Sequence, residues 1–278
     1  MWTVVTPASW FQTASVTEVN RLTTLDENPQ DPFEPIAVIG IAALLPDADD
    51  AATFWQNVLS AKVSLKDVPS DRWHAADFHV EGGPKNVDEN KTYSKIGGWV
   101  EGFEFDWRRY RVPPGSLPQI DPTQLWAVSV SAAALEDAGY LGEGAKELPH
   151  ARTGVIFANA LGGENRNLSN HRVWADHFAR HAIEAGGMPT AGKDAFKDAI
   201  LDGLPKVDED TMPGELANVV SGRVANLLDL QGPNYSTDAA CASTFAAVLD
   251  ACRLLHARQV DLMIAGASDR TMDPATIA

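Results

Sequence analysis

Asn234-Tyr235-Ser236-Thr237-Asp238-Ala239-Ala240-Cys241-Ala242-Ser243-Thr244 decides the fold: a short extended run breaks at a cysteine between two alanines, and a long helical pattern follows. Working outward, Tyr235 to Ala240 reads as a strand, Ala242 to Ala257 as a helix and Asp261-Leu262-Met263-Ile264-Ala265-Gly266 as a second strand. That order is a βαβ crossover, which joins parallel strands with a right-handed connection. The class is α/β.

Upstream segments agree with it. Pro122 to Ala138 predicts a helix, opened by Asp121 as N-cap with Pro122 at the first helical position and closed by Gly139. Its many alanines imply close burial. Thr153-Gly154-Val155-Ile156-Phe157-Ala158 reads as a buried strand, Gly214 to Leu228 as a helix, and Ile36-Ala37-Val38-Ile39-Gly40 as a strand closed by glycine. Asp49 to Ser60 carries Phe54, Trp55, Val58 and Leu59 at helical spacing. Residues 62 to 120 hold aromatics, Pro and Gly in no steady period and read as a long ordered excursion. Residues 1–34, ending in Asp26-Glu27-Asn28-Pro29-Gln30-Asp31-Pro32, read as an N-terminal leader or linker before a domain spanning 35–278. No repeat or low-complexity segment stands out.

Composition sets the limits of function. The chain has 278 residues, 45% hydrophobic and 22% charged, ordinary for globular material with a sizeable core. A net charge of −16 argues against general nucleic-acid binding, which needs clustered Lys and Arg to displace counterions from phosphates. The longest apolar run, Ile36 to Leu45, is too short to span a bilayer, and no signal peptide is indicated. The two cysteines, Cys241 and Cys252, would lie about 16 Å apart on one helix, beyond disulfide reach. A cytoplasmic, reducing compartment fits that usage.

A thiol at the mouth of a helix is placed where nucleophiles are made. Thiolate is the reactive form, and unpaired N–H groups with the positive end of the helix dipole favour the anion. The same N–H groups stabilise an oxyanion, and Ala240 and Ala242 leave room for an acyl group. The competing account of Cys241 is a buried structural cysteine acting as a small apolar filler. Both stand on the local pattern alone.

Other candidates carry less. His177 and His181 at i, i+4 share a helix face, yet Phe178 stands where a zinc protease carries Glu and no third ligand is apparent; an exposed amphipathic helix over His171 to Glu184 accounts for them better. Gly162-Gly163 lacks the rest of a dinucleotide fingerprint and reads as a tight loop. The acidic stretch from Asp202 to Asp210 reads as solvated surface, and Cys252 as packing. The eight Trp and ten Phe residues read mostly as core and interface rather than as an acyl tunnel.

An ordered set of motifs goes further. Pro35-Ile36-Ala37-Val38-Ile39-Gly40, Phe54-Trp55, Val68-Pro69-Ser70-Asp71-Arg72-Trp73, Ala134-Leu135-Glu136-Asp137-Ala138-Gly139, Ser221-Gly222-Arg223-Val224-Ala225-Asn226 and Asp238-Ala239-Ala240-Cys241-Ala242-Ser243 follow one another along the chain. Together they resemble the β-ketoacyl synthase (ketosynthase) domain of type I polyketide synthases. The Asp-Ala-Ala-Cys form and the Arg111-Val112-Pro113-Pro114 segment are closest in look to the ketosynthases of polyunsaturated fatty acid synthases. The resemblance implies a thiolase-like layered α/β/α fold with a mixed, mostly parallel sheet, of which residues 35–278 are the N-terminal half. It implies Cys241 as catalytic residue in a decarboxylative Claisen condensation, with the Cys241 backbone N–H as one oxyanion donor. It implies no cofactor bound by the chain and no metal, the substrates arriving on the phosphopantetheine of an acyl carrier protein.

The family's two catalytic histidines belong to a His-Gly-Thr-Gly-Thr segment and a later Gly-His segment that this sequence does not contain. None of His74, His79, His150, His171, His177, His181 and His256 lies in a matching motif, so the chain alone is expected to be acylated at most. The resemblance also implies a homodimer through the strand near Tyr235 to Asp238, with exposed apolar surface on the half-fold. The alternatives are a non-catalytic remnant or dimerising partner subunit, and an unrelated cysteine hydrolase with the same turn.

Overall fold

The structure, a computed structural model, describes residues 2–7, 34–83 and 90–277. Its elements in chain order begin with β1 (Trp2–Pro7), β2 (Ile36–Ala42), α1 (Ala51–Leu59), β3 (Leu65–Asp67), α2 (Ala75–Phe78) and β4 (Ile96–Gly98). They continue with α3 (Pro122–Asp137), β5 (Thr153–Ala158), α4 (Asn165–Glu184), α5 (Lys193–Leu201), α6 (Thr211–Glu215) and α7 (Ala217–Leu227). The last are β6 (Asn234–Thr237), α8 (Ser243–His256), β7 (Leu262–Ala267) and α9 (Pro274–Ile277).

Five strands form one sheet in the order β2-β1-β7-β5-β6. β5 is parallel to β6 and β7, while β1 runs antiparallel to both β2 and β7. Four strands therefore point one way and β1 alone is reversed, so the sheet is mixed and mostly parallel. Trp2–Pro7, expected within a leader, is a sheet strand, paired Thr3 with Ala265 and Val4 with Gly40. The remainder of that leader, from residue 8 to 33, lies outside the described residues.

Strand periodicity explains the layers. Val155 and Phe157 of β5, with Leu262 and Ile264 of β7, pack with Val128 and Leu135 of α3 and Val220 and Val224 of α7. The intervening Ile156, Ala158, Met263 and Ala265 pack on Ala247, Ala251 and Leu255 of α8. Because both faces are covered, β5 and β7 read as continuous apolar runs, as buried parallel strands do. Helix, sheet and helix make an α/β/α sandwich.

α3 follows its sequence signals. Asp121 caps it, accepting from the Thr123 backbone N–H; Pro122 opens it; and Gly139, at φ +78°, ends it. Its small residues let β2 come close, since a Cβ at Gly40 would meet the Ala134 carbonyl. The helix expected over Gly214 to Leu228 is instead two, because Leu216 is extended at φ −84°, ψ 129°. Gln124 shows the reason: its amide donates to the carbonyls of Pro213 and Gly214 at 3.0 Å, and Gly214 presses on the Gln119 carbonyl where no Cβ would fit. The excursion carries the antiparallel β3–β4 pair, pinned by Trp99 Nε1 donating to the Lys66 carbonyl.

Candidate active site

β6 is an edge strand, and its carboxyl end lies beside those of β5 and β7. Asn159, just past β5, joins the three. Its backbone N–H donates to the Thr237 carbonyl at 3.3 Å, its side-chain amide to the Ser268 carbonyl at 2.7 Å, and its oxygen accepts from the Gly162 N–H at 2.6 Å. The chain leaving β6 thus emerges at the carboxyl end of the sheet, where α/β proteins place their ligands.

There it turns sharply. Ala239 sits at φ −137°, ψ 34°, and Ala240 at φ +50°, the left-handed region that an alanine enters only at a cost. A 3-10 turn over Ala240–Ala242 then leads into α8. Asp238 Oδ1 accepts from the Ala240 N–H at 2.9 Å. Ser243 Oγ accepts from the Ala239 N–H at 2.8 Å and donates to the Ala240 carbonyl at 2.6 Å. Cys241 lies in this turn, is exposed, and has no described residue accepting from its backbone N–H. The sulfur is therefore neither walled in nor mid-helix. Cys252 is half-buried and burial pushes its thiol up, which suits packing rather than reaction.

Four of the histidines have neighbours of their own. His150 Nδ1 lies 2.8 Å from the Asp229 carbonyl and His256 Nε2 lies 2.9 Å from that of Glu34. His177 and His181 do face one another on α4, ring centroids 4.2 Å apart, but Arg180 occupies His177 Nδ1. Among the described residues no three His, Cys, Asp or Glu side chains gather as metal ligands. Burial pulls His177 below the ordinary histidine value, with His181 adding to the effect.

The surroundings hold a polar cluster that sequence reasoning missed. Buried Asp121 accepts from the N–H of Thr123 (2.9 Å), of Glu164 (2.7 Å) and of Asn165 (2.9 Å), and from the Thr123 hydroxyl (2.7 Å). One carboxylate thus serves the starts of α3 and α4. Gly163 passes so close to it that no Cβ would fit. Glu164 in turn accepts from Arg72 (2.5 Å), Arg270 (2.7 Å) and the Met272 N–H (3.0 Å). Burial pulls the Arg270 guanidinium down and Arg72 adds to that, while Glu164 and Asp121 oppose it. The cluster ties the excursion, the loop after β5 and the loop after β7 together at the same carboxyl end of the sheet. Of its members, Arg72 stood in a motif and Asp121 reads as a helix cap, while Glu164 and Arg270 carry no local signal.

Comparison with known proteins places this geometry. Residues 33–278 match the family model described as "Beta-ketoacyl synthase, N-terminal domain". The polyketide synthase ThaG of Burkholderia thailandensis is 30% identical over 264 residues, covering 94% of this chain and 4% of that protein. A polyunsaturated fatty acid synthase polypeptide of Thraustochytrium sp. is 29% identical over 237 residues, covering 84% and 8% respectively. The oxazolomycin ketosynthase domain OzmH KS7 of Streptomyces albus JA3453 superposes with a TM-score of 0.63 at 22% identity, over 86% of this chain and 35% of that one, a likeness of fold. The chain therefore spans a small part of the length of these curated relatives.

Proposed function

The chain belongs to the β-ketoacyl synthase family, in its N-terminal domain, and on that premise we propose that it is the part of a condensing acyltransferase that carries the acyl group, on Cys241. Its layered sheet is thiolase-like. The observation that carries the proposal is Cys241 itself, exposed at a strained turn between an edge strand and α8 with its backbone N–H unclaimed by any described residue.

The chemistry follows from that placement. The Cys241 thiolate attacks the carbonyl carbon of an acyl thioester on the phosphopantetheine of an acyl carrier protein. Charge moves onto the carbonyl oxygen, and the oxyanion accepts a hydrogen bond that the Cys241 N–H is free to donate. The carbon–sulfur bond to the carrier breaks, the carrier leaves as a thiolate that takes up the proton the Cys241 thiol gave up, and the acyl group stays on the Cys241 sulfur. A malonyl unit on a carrier protein then loses carbon dioxide, and its electron pair forms the new bond to the acyl carbon. The Cys241 thioester breaks and a β-keto thioester leaves. The groups that stabilise the enolate are assigned to the histidine motifs this sequence does not contain, so acylation is the half-step proposed for the chain alone.

Partner and assembly are proposed in the same terms. Among the described residues β6 is an edge strand, and Tyr235 on it and Phe245 and Leu249 on α8, the helix packed against it, are exposed, Phe245 at 78%. Pairing of two copies along Tyr235–Asp238 would cover all three in a homodimer. Among the described residues no helix is long and apolar enough to cross a membrane, and both cysteines are free thiols, which accords with a cytoplasmic location. Incubation with a hexanoyl thioester followed by intact-mass measurement tests the assignment: an adduct is expected on the wild type and not on Cys241→Ala. An adduct of equal yield on the variant would refute it.

A further inference from the structure

The turn that carries Cys241 is held from within by one side chain. Ser243 is 9% exposed, and its hydroxyl spans the turn, accepting from the Ala239 N–H and donating to the Ala240 carbonyl. The Ala240 carbonyl and the Cys241 N–H belong to the same planar peptide unit, so fixing the direction of one fixes the direction of the other. A hydrogen bond to that carbonyl also polarises the N–H at the far side of the unit and makes it a better donor. The Ser243 backbone N–H reaches the same carbonyl, and Asp238 holds the preceding peptide unit through the Ala240 N–H. Both peptide planes flanking Ala240 are thus tied, and Ala240 is the residue in the left-handed region.

We propose that Ser243 is a positioning residue: its hydroxyl holds Ala240 in the left-handed conformation and aims the Cys241 N–H at the oxygen of an incoming acyl group. The proposal rests on Cys241 being the nucleophile. Its role is confined to steps that develop an oxyanion. Acyl transfer from a thioester needs the aimed N–H, whereas alkylation by iodoacetamide is a displacement at saturated carbon and needs only an accessible thiol.

That contrast supplies the test. Wild type, Ser243→Ala, the double variant Ala240→Gly/Ser243→Ala and the Cys241→Ala blank are each treated with the hexanoyl thioester of N-acetylcysteamine or with iodoacetamide. Adducts at Cys241 are followed by intact mass and peptide mapping. Losing two hydrogen bonds from the turn is expected to slow acylation by Ser243→Ala about tenfold while alkylation changes by less than about twofold. Glycine adopts the left-handed conformation without a steric cost, so the double variant is expected to recover acylation to within about threefold of wild type. Equal loss in both reactions, or no recovery with glycine, would overturn the role, because a merely structural serine lowers both together. Wild type that acylates while Ser243→Ala acylates at the same rate sinks this proposal alone. Wild type that is alkylated and never acylated above the blank sinks the nucleophile reading and this proposal with it.

Discussion

Replacing Asp121 tests the logic of the fold most sharply. Its carboxylate is fully buried and takes four donors, two on each oxygen: the Thr123 N–H and hydroxyl on Oδ1, the Glu164 and Asn165 N–H groups on Oδ2. Alanine removes the Asp121 acceptor from all four. Each buried orphan costs about 1–3 kcal/mol, less whatever water or loop movement recovers, and the Thr123 hydroxyl has a weak alternative in the Gly162 carbonyl at 3.4 Å. A loss of about 3–5 kcal/mol is expected, a large part of the 5–15 kcal/mol that is roughly typical of a domain. Asparagine is the informative variant. It keeps the volume, yet whichever oxygen becomes the amide nitrogen then faces two donors with a donor. Asp121→Asn should therefore lose about 2–4 kcal/mol, far from a conservative outcome. Urea unfolding followed by circular dichroism measures both. Asparagine within about 0.5 kcal/mol of wild type would refute the double-capping account.

Other consequences are open to simple measurement. Leu255→Ala should cost about 2–5 kcal/mol in the same unfolding assay, because Leu255 is fully buried between α8 and the sheet and its removal leaves a cavity. Tyr110, Tyr140 and Cys252 are all raised by burial, so the unfolded chain gives up these protons first as pH rises. The stability they carry is complete below the unfolded values and lost as pH climbs through the folded ones; urea midpoints should fall above about pH 9, and a flat profile to pH 11 would contradict the burial. Under the proposed pairing along β6, wild type should sediment as a dimer and Phe245→Glu as a monomer, because the variant places charge on the exposed face of α8; a variant that sediments as wild type does would exclude that face.

Much of this architecture was legible because its causes are local. Asp121, Pro122 and Gly139 mark α3 by backbone chemistry that any context respects, and the apolar runs of β5 and β7 reflect burial on both faces. The turn at Cys241 was equally readable, since small residues between an extended run and a helix have few other uses. What stayed hidden depends on distant partners. Arg72, Glu164 and Arg270 meet from three separate segments, and nothing near Glu164 announces two guanidiniums. Leu216 breaks a helix because Gln124 needs the carbonyls beside it, a demand made from outside the segment. Trp2–Pro7 has strand-forming residues, but only pairing with β2 and β7 distinguishes a sheet strand from a leader.

That last strand bears on folding. Thr3, Val4 and Val5 find partners on one side at Ala265, Ile264 and Met263, about 260 residues along the chain, so that side of β1 is satisfied only after a very long-range closure. Until that closure the edges of β2 and β7 stand apart, and the folding chain presents open ribbons with which a second molecule can pair.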